Sequence, residues 1–382
     1  MRAAGASEII WFEKEDFPLK AYTSVHDPIR VRVLITDAMA IVNMDLTSLP
    51  DDAVHHFQNI VKEETGILNS FIIVSHTFSS PHIPFHIHEE REKKLSDTLY
   101  ARIDTALRDA LRKALSAMKE VSVTYGEAEC DLNVNRNVRT SEGWWLGENP
   151  SLYSNHTLQV LSFGNTSLVT YDMQSSLLNK AKGEDGGFLI SSDIYGYASE
   201  VLKKKGRNVL FLTGCAGDQT PAKKDENLFV QREEDGLILA QAVEKAVDHA
   251  EEIPVDQIAM VSEECDLPGQ KMKIPTKDLT PHVTFDFEAD HHSVRCENTL
   301  LQIGNVNLFF TMPELNSSFG NRIREITGKK TMIATLVNGG RKYLPEPEDY
   351  ERITYNAMNT GIGKGADQVF LDHVKKMKEK LS

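Results

Sequence analysis

The 382-residue sequence is poor in cysteine and has no long hydrophobic run. Its four cysteines lie far apart in the sequence and form no CxxC or cysteine–histidine pattern, so buried reduced thiols are expected and redox chemistry is not indicated. No stretch approaches the roughly 20 apolar residues that a membrane-spanning helix needs. The first residues contain no apolar run of signal-peptide length, so a soluble, cytoplasmic protein is expected.

Positive charge is also scarce. Lysine and arginine number 42 against 56 aspartate and glutamate residues, and the formal net charge is −14. An acidic surface repels phosphate backbones and anionic lipid headgroups. The sequence therefore predicts neither a nucleic-acid partner nor docking through a basic patch.

Strand and helix patterns alternate along the first two thirds of the chain. Apolar and polar residues alternate over 29–35, which is typical of a half-buried strand, and the apolar runs 39–44 and 71–75 indicate buried strands. Leucine and isoleucine recur every four residues over 95–115, which predicts a long amphipathic helix. Further helices are predicted from residue 51 to about 61 and over 235–252, and further strands at 121–125, 158–162, 168–171 and 209–213.

After Pro254 the sequence becomes rich in strand patterns. The dipeptide Gly304-Asn305 separates two apolar segments and predicts a hairpin, and a closing helix is expected over 367–381. The mixture predicts an α/β fold, a layered domain with mixed β-sheets and flanking helices. We expect one domain over 1–382, with an α/β part at 1–254 and a β-rich, then helical part at 255–382.

Polar residues stand where predicted strands end. His76 follows the run 71–75, Asn135 and Arg136 follow a strand near 121–130, Asp218 follows 209–213, and Glu314 follows another apolar strand. Ligand-binding groups in α/β folds gather in such loops, which makes one shared pocket plausible. Each residue taken alone has an equally ordinary structural reading as a hydrogen-bonded loop residue.

Several segments resemble the catalytic domain of the neutral ceramidases, zinc-dependent amidases that cleave the N-acyl bond of ceramide. The segment SHTFSSPH at 75–82 is similar to the family's THTHSGP. Further segments match in family order: HDP at 26–28, NVNRN at 133–137, ISSDIYGYAS at 190–199, GCAGDQTP at 214–221, MPELNSSFGNRIR at 312–324 and the stretch 343–355. The resemblance implies the family's catalytic fold and a role in sphingolipid metabolism, without the C-terminal β-sandwich of secreted members.

Carried over by position, the resemblance also implies a site. One zinc ion would be held by His76, Gln174, Glu314 and Tyr343, where it would polarise a carbonyl group and activate water. The residues implied in catalysis are Arg136, Tyr343, Tyr355 and Thr220, the last at the position of a serine proposed as nucleophile; those implied in substrate binding are Asn135, Asp218 and Phe78.

Two residues depart from the family pattern at its centre. Gln174 stands where the family has a second zinc-binding histidine, and Phe78 replaces the second histidine of HTHS. Glutamine is a poor zinc ligand, and the remaining set is oxygen-rich, which suits Mn²⁺, Mg²⁺ or Ca²⁺ better. Three outcomes stay open: a harder cation, a zinc site completed by His82, His86 or His88, or no metal.

Three functions follow from these observations. The first is a ceramidase-like, metal-assisted hydrolase of an amide bond in a small or lipid-like N-acyl substrate. The second is a catalytically silent binding protein that kept the fold and pocket but lost the zinc site. The third is a metal-free hydrolase with Thr220 as nucleophile.

Overall fold

The computed structural model describes residues 1–381 as strands, helices and connecting loops. Its strands are β1 (Arg2–Ile9), β2 (Tyr22–Val25), β3 (Arg30–Thr36), β4 (Ala40–Met44), β5 (Ser70–Val74), β6 (Lys119–Glu120), β7 (Val123–Glu129), β8 (Asn133–Asn135), β9 (Asn137–Thr140), β10 (Gly143–Leu146), β11 (Thr157–Phe163), β12 (Thr166–Tyr171), β13 (Phe188–Ile190), β14 (Asn208–Thr213), β15 (Gln219–Pro221), β16 (Glu251–Glu252), β17 (Ile258–Gln270), β18 (Ala289–Ile303), β19 (Val306–Thr311), β20 (Glu314–Leu315), β21 (Thr331–Ala334) and β22 (Tyr343–Leu344). Its α-helices are α1 (Asp51–Thr65), α2 (Glu90–Ser116), α3 (Asp193–Lys204), α4 (Leu228–Asp248), α5 (Ser317–Thr327), α6 (Pro347–Arg352), α7 (Tyr355–Met358) and α8 (Ala366–Leu381).

Three larger sheets form the framework. Their strand orders are β5-β4-β3-β1-β6, β14-β12-β11-β7-β16 and β17-β18-β19-β21. Each sheet is mixed: β3 and β4 are antiparallel whereas β4 and β5 are parallel, and the pairs β12–β14 and β19–β21 are parallel within otherwise antiparallel sheets. The predicted α/β fold with mixed sheets is confirmed.

The sheets pack together in the middle and the helices cover them outside. A central apolar core joins all three sheets, with Ile73, Leu161 and Phe310 among its members. Three outer cores lie between the first sheet and α1 and α2, between the second sheet and α3 and α4, and between the third sheet and α5 and α8. This layering buries the central strands β3, β4, β12 and β19 completely, whereas much of β17 is exposed. No helix within residues 1–381 is long and apolar enough to cross a membrane.

The predicted helices and strands are present with shifted ends. The long apolar stripe lies within α2, and the hairpin at Gly304-Asn305 joins β18 to β19. Helix α4 begins at Leu228, seven positions before the prediction, because the Asn227 side chain accepts hydrogen bonds from two backbone amides of its first turn.

The prediction of a half-buried strand at 29–35 is wrong. All seven residues of β3 are buried, including Arg30 and Arg32. Their charges are paired, because Arg32 contacts Asp45 at 2.8 Å and Arg30 contacts Glu200 at 2.6 Å. Arg30 and Arg32 alternate with apolar residues because each is buried in an ion pair, and they do not mark a solvent-facing side of β3.

Candidate functional site

His76 lies in the loop that follows β5, two residues after the strand ends at Val74. Its backbone has φ of 56°, a left-handed conformation that is uncommon for residues other than glycine. Nδ1 lies 2.6 Å from the Thr47 carbonyl oxygen, which can only accept, so Nδ1 carries a proton. Nε2 then points at Glu314, with 3.4 Å to Oε2, and has no hydrogen-bond partner although it is buried.

Glu314 and Tyr343 come from two short strands that form their own ladder. β20 and β22 are parallel, with Glu314 opposite Tyr343. Residues opposite each other in a ladder project from the same face, so the carboxylate and the phenol point the same way. Burial, followed by the negative charge of Glu314, raises the pKa of Tyr343, which leaves its hydroxyl neutral.

Gln174 occupies the space between two charged groups. Its Oε1 accepts a hydrogen bond from Arg136 Nη1 at 3.2 Å, and its Nε2 donates to Glu314 Oε2 at 3.2 Å. An arginine can only donate and a carboxylate can only accept, so these partners fix the orientation of the amide. Gln174 therefore presents an N–H group, rather than its oxygen, towards Glu314.

Arg136 lies at the centre of the cluster. Its Nη2 donates to Asn356 Oδ1 at 3.0 Å, and its guanidinium carbon lies 5.5 Å from the Tyr343 ring and 5.7 Å from the Tyr355 ring. Its Nε is buried without a hydrogen-bond partner. The guanidinium is thus held by neutral amides and aromatic faces.

A cleft of about 550 Å³ opens above this cluster. The cleft is lined by Phe78, Arg136, Leu146, Gly147, Gln174, Ser176, Asn179, Lys180, Thr220, Tyr343 and Tyr355. His76 and Glu314 are not among the lining residues. They are 4% and 6% exposed, and the Phe78 ring lies 4.7 Å from the imidazole. Gln174 and Phe78 separate the His76–Glu314 pair from the cleft.

The electrostatics of the buried pair favour an ionised carboxylate. Burial acts to raise the pKa of Glu314, but the nearby charges of His76 and Arg136 and the hydrogen bond from Gln174 outweigh it. The net result is a lowered pKa. The negative charge of Glu314 is therefore shared between His76 on one side and the Gln174–Arg136 chain on the other.

Three residues that the sequence did not reveal complete the site. Asn356 accepts from Arg136 and donates to the Gly217 carbonyl, which anchors the guanidinium to the loop after β14. Lys342 Nζ donates to Asn359 Oδ1 at 2.7 Å, and Asn359 in turn donates to the Tyr355 hydroxyl at 2.9 Å. Asn356 directly follows Tyr355, so its place in the chain was the only available signal.

The remaining predicted residues fall in two places. Thr220 lies on β15 and lines the cleft, but no side chain in residues 1–381 hydrogen-bonds its hydroxyl, so no base is in place to activate it. Asn135 donates to Asp218 at 2.7 Å, and both line a neighbouring pocket of about 270 Å³. That pocket touches the cleft through the backbone, where Arg136 N donates to the Asp218 carbonyl at 2.8 Å.

The four predicted metal ligands do not fit a tetrahedral zinc site as they are arranged. His76 Nε2 and Glu314 face a common point, but Gln174 turns its oxygen to Arg136 and its N–H to Glu314. His82, His86 and His88 are exposed, and none forms a hydrogen bond or ion pair with His76 or Glu314 through its ring. Within residues 1–381, no three His, Cys, Asp or Glu side chains are grouped to hold an ion.

No family model and no curated protein matches the chain. Solved structures do. The fold is similar to that of a ceramidase complexed with C2, with a TM-score of 0.76 and 15% identity over 100% of this chain and 75% of that chain. It is also similar to a neutral ceramidase from Pseudomonas aeruginosa, with a TM-score of 0.74 and 16% identity over 99% of this chain and 74% of that chain. The chain therefore has a neutral-ceramidase-like fold.

Proposed function

We propose that this protein uses its ceramidase-like fold to bind an N-acyl compound in the cleft above Arg136, without zinc chemistry. The observation that carries the proposal is the position of Gln174, which bonds Arg136 and Glu314 at once. An amide N–H pointing at the place of a metal opposes a cation there, because it presents positive rather than negative charge. Phe78 closes the other approach to His76.

The cleft has the groups that an N-acyl compound needs. Arg136 and the hydroxyl of Tyr355 are donors for a carbonyl oxygen, and Phe78 and Leu146 are apolar neighbours for an acyl chain. Trp145 packs edge-on against Tyr355, with ring centres 5.6 Å apart, and stiffens this wall. A ceramidase of this fold has been solved in complex with C2, which supports the choice of ligand.

A second candidate is metal-assisted hydrolysis of an amide bond. One observation favours it: His76 Nε2 is buried, has no hydrogen-bond partner and faces the Glu314 carboxylate. A buried polar atom without a partner is uncommon, and a cation between Nε2 and the carboxylate would satisfy both groups.

Zinc retention separates the two candidates. Wild type, Gln174→His and Gln174→Ala are incubated with zinc, desalted and analysed for metal, and hydrolysis of a fluorogenic N-acyl amide is followed in parallel. We expect zinc in Gln174→His alone; Gln174→Ala controls for the space that the glutamine vacates. Stoichiometric zinc in wild type, lost together with hydrolysis in His76→Ala, establishes the second candidate instead.

A further inference from the structure

The buried arginines of this protein differ in one respect. Four are less than 9% exposed, and three of them contact a carboxylate: Arg30 with Glu200 at 2.6 Å, Arg32 with Asp45 at 2.8 Å, and Arg232 with Asp27 at 3.2 Å. Arg136 is the exception. Within residues 1–381 no carboxylate oxygen lies within 4.0 Å of its guanidinium nitrogens.

The partners that Arg136 does have are neutral. Nη1 and Nη2 donate to the amide oxygens of Gln174 and Asn356, the Tyr343 phenol is a further neutral neighbour, and Nε has no partner. Glu314 is reached only through Gln174 and is itself paired with His76. A buried charge without a direct counter-charge is costly, so proteins rarely keep one that nothing else neutralises.

The charged side chains that line the cleft are positive, like Arg136 itself. Arg136 and Lys180 are the charged residues among those that line it, and no aspartate or glutamate within residues 1–381 does so. Lys180 forms no ion pair with any described residue. This cationic lining stands out in a protein of net charge −14. It marks the cleft as a site for an anion.

The other lining residues limit the kind of anion. Phe78, Leu146 and Tyr355 are apolar or aromatic, and the volume of about 550 Å³ exceeds that of a small inorganic ion. A guanidinium presents a planar fork of donors that matches the two oxygens of a carboxylate, and in Arg136 the Nε donor has no partner in the protein. The ligand therefore combines a carboxylate with an apolar tail.

We propose that the cleft binds N-acyl amino acids, with the carboxylate on Arg136 and the acyl chain along Phe78 and Leu146. This inference rests on the proposed function and narrows its ligand class from N-acyl compounds to anionic ones. Lys180 lies on the same wall and adds attraction without being part of the buried cluster.

Isothermal titration calorimetry with two matched probes tests the inference. N-octanoylglycine carries a carboxylate, and N-octanoylethanolamine has the same acyl chain and a neutral hydroxyl. We expect the glycine conjugate to bind about ten- to a hundredfold more tightly, as a hydrogen-bonded ion pair provides. Arg136→Gln abolishes this preference. Lys180→Gln reduces it, whereas Lys182→Gln, an exposed lysine outside the cleft, leaves it unchanged.

The outcomes separate the two levels of the argument. Equal binding of both probes, or tighter binding of the ethanolamide, overturns the anionic ligand class and leaves the proposed N-acyl binding intact. Binding of neither probe overturns the proposed function itself. Since Lys180 is exposed, its variant folds normally and carries the test if Arg136→Gln misfolds.

Discussion

Replacing two buried arginines by methionine tests whether Arg136 lacks a counter-charge. Arg32→Met leaves Asp45 fully buried with no cation beside it. Removing one partner of a buried ion pair costs about 3–5 kcal/mol. We expect this loss in the free energy of unfolding, measured by urea denaturation with tryptophan fluorescence.

In Arg136→Met the costs and gains in the free energy of unfolding largely offset each other. It removes a donor from Gln174 Oε1 and from Asn356 Oδ1, at about 1–3 kcal/mol for each acceptor left unsatisfied. It also relieves the desolvation of an unpaired charge, worth several kcal/mol. Gln174 lines the cleft, where water can replace the lost donor. We expect a net cost below about 2 kcal/mol.

A control confirms the reasoning for the paired arginine. Adding Asp45→Asn to Arg32→Met restores most of the lost stability, because no charge then remains buried alone. The reasoning is refuted if Arg136→Met costs as much as Arg32→Met. The longer-range attraction of Glu314 across Gln174 would then be a sufficient counter-charge for Arg136, and the cleft would need no anion.

Two further predictions concern the loops around the site. Burial raises the pKa of Asp193 to about 6, so the folded state holds its proton more tightly than the unfolded state, and the stability this gives is lost as the pH rises from about 4 to about 6. Asp193→Asn mimics the protonated carboxyl and keeps the left-handed backbone. The difference in unfolding free energy between variant and wild type should therefore grow in the variant's favour by about 2 kcal/mol over that range; a constant difference contradicts the assignment. A methyl group at Gly214 would lie 2.4 Å from Asp172 Oδ1, so Gly214→Ala should lose about 1–3 kcal/mol in the same assay, whereas Gly361→Ala, with its nearest contacts at 3.9 Å, should change little. Equal effects of the two alanine variants would show that the loop after β14 yields to the added methyl group.

Local patterns were sufficient to predict most of the framework. The four-residue repeat of α2 and the hairpin at Gly304-Asn305 are decided by neighbouring residues, and both are present. The start of α4 is decided by the cap residue Asn227, whereas the apolar spacing alone predicts a start at about 235. The burial of β3 is decided at long range, because the carboxylate of Glu200 that allows Arg30 to be buried lies 170 positions away. Such a partner has no local signature.

For the site, the sequence was enough to predict that these residues lie close together, but not how the Gln174 side chain is oriented. The resemblance brought His76, Gln174 and Glu314 to one place, and the structure joins them by hydrogen bonds or an ion pair. That the Gln174 amide turns its N–H inward follows from Arg136, whose guanidinium takes the oxygen. Side-chain rotation of this kind depends on the whole set of neighbours at once. The roles proposed for Thr220, Asn135 and Asp218 stay predictions.

The hydrogen-bonded cluster below the cleft is formed by segments that lie far apart along the chain. Gln174 and Glu314 are 140 positions apart, and Arg136 and Asn356 are 220 apart. Closing such large loops costs chain entropy before the contacts form, so we expect this cluster to assemble late in folding. It cannot form in a chain of which only one half is ordered. A molecule seated on Arg136 therefore clamps both halves together and strengthens the native state as a whole.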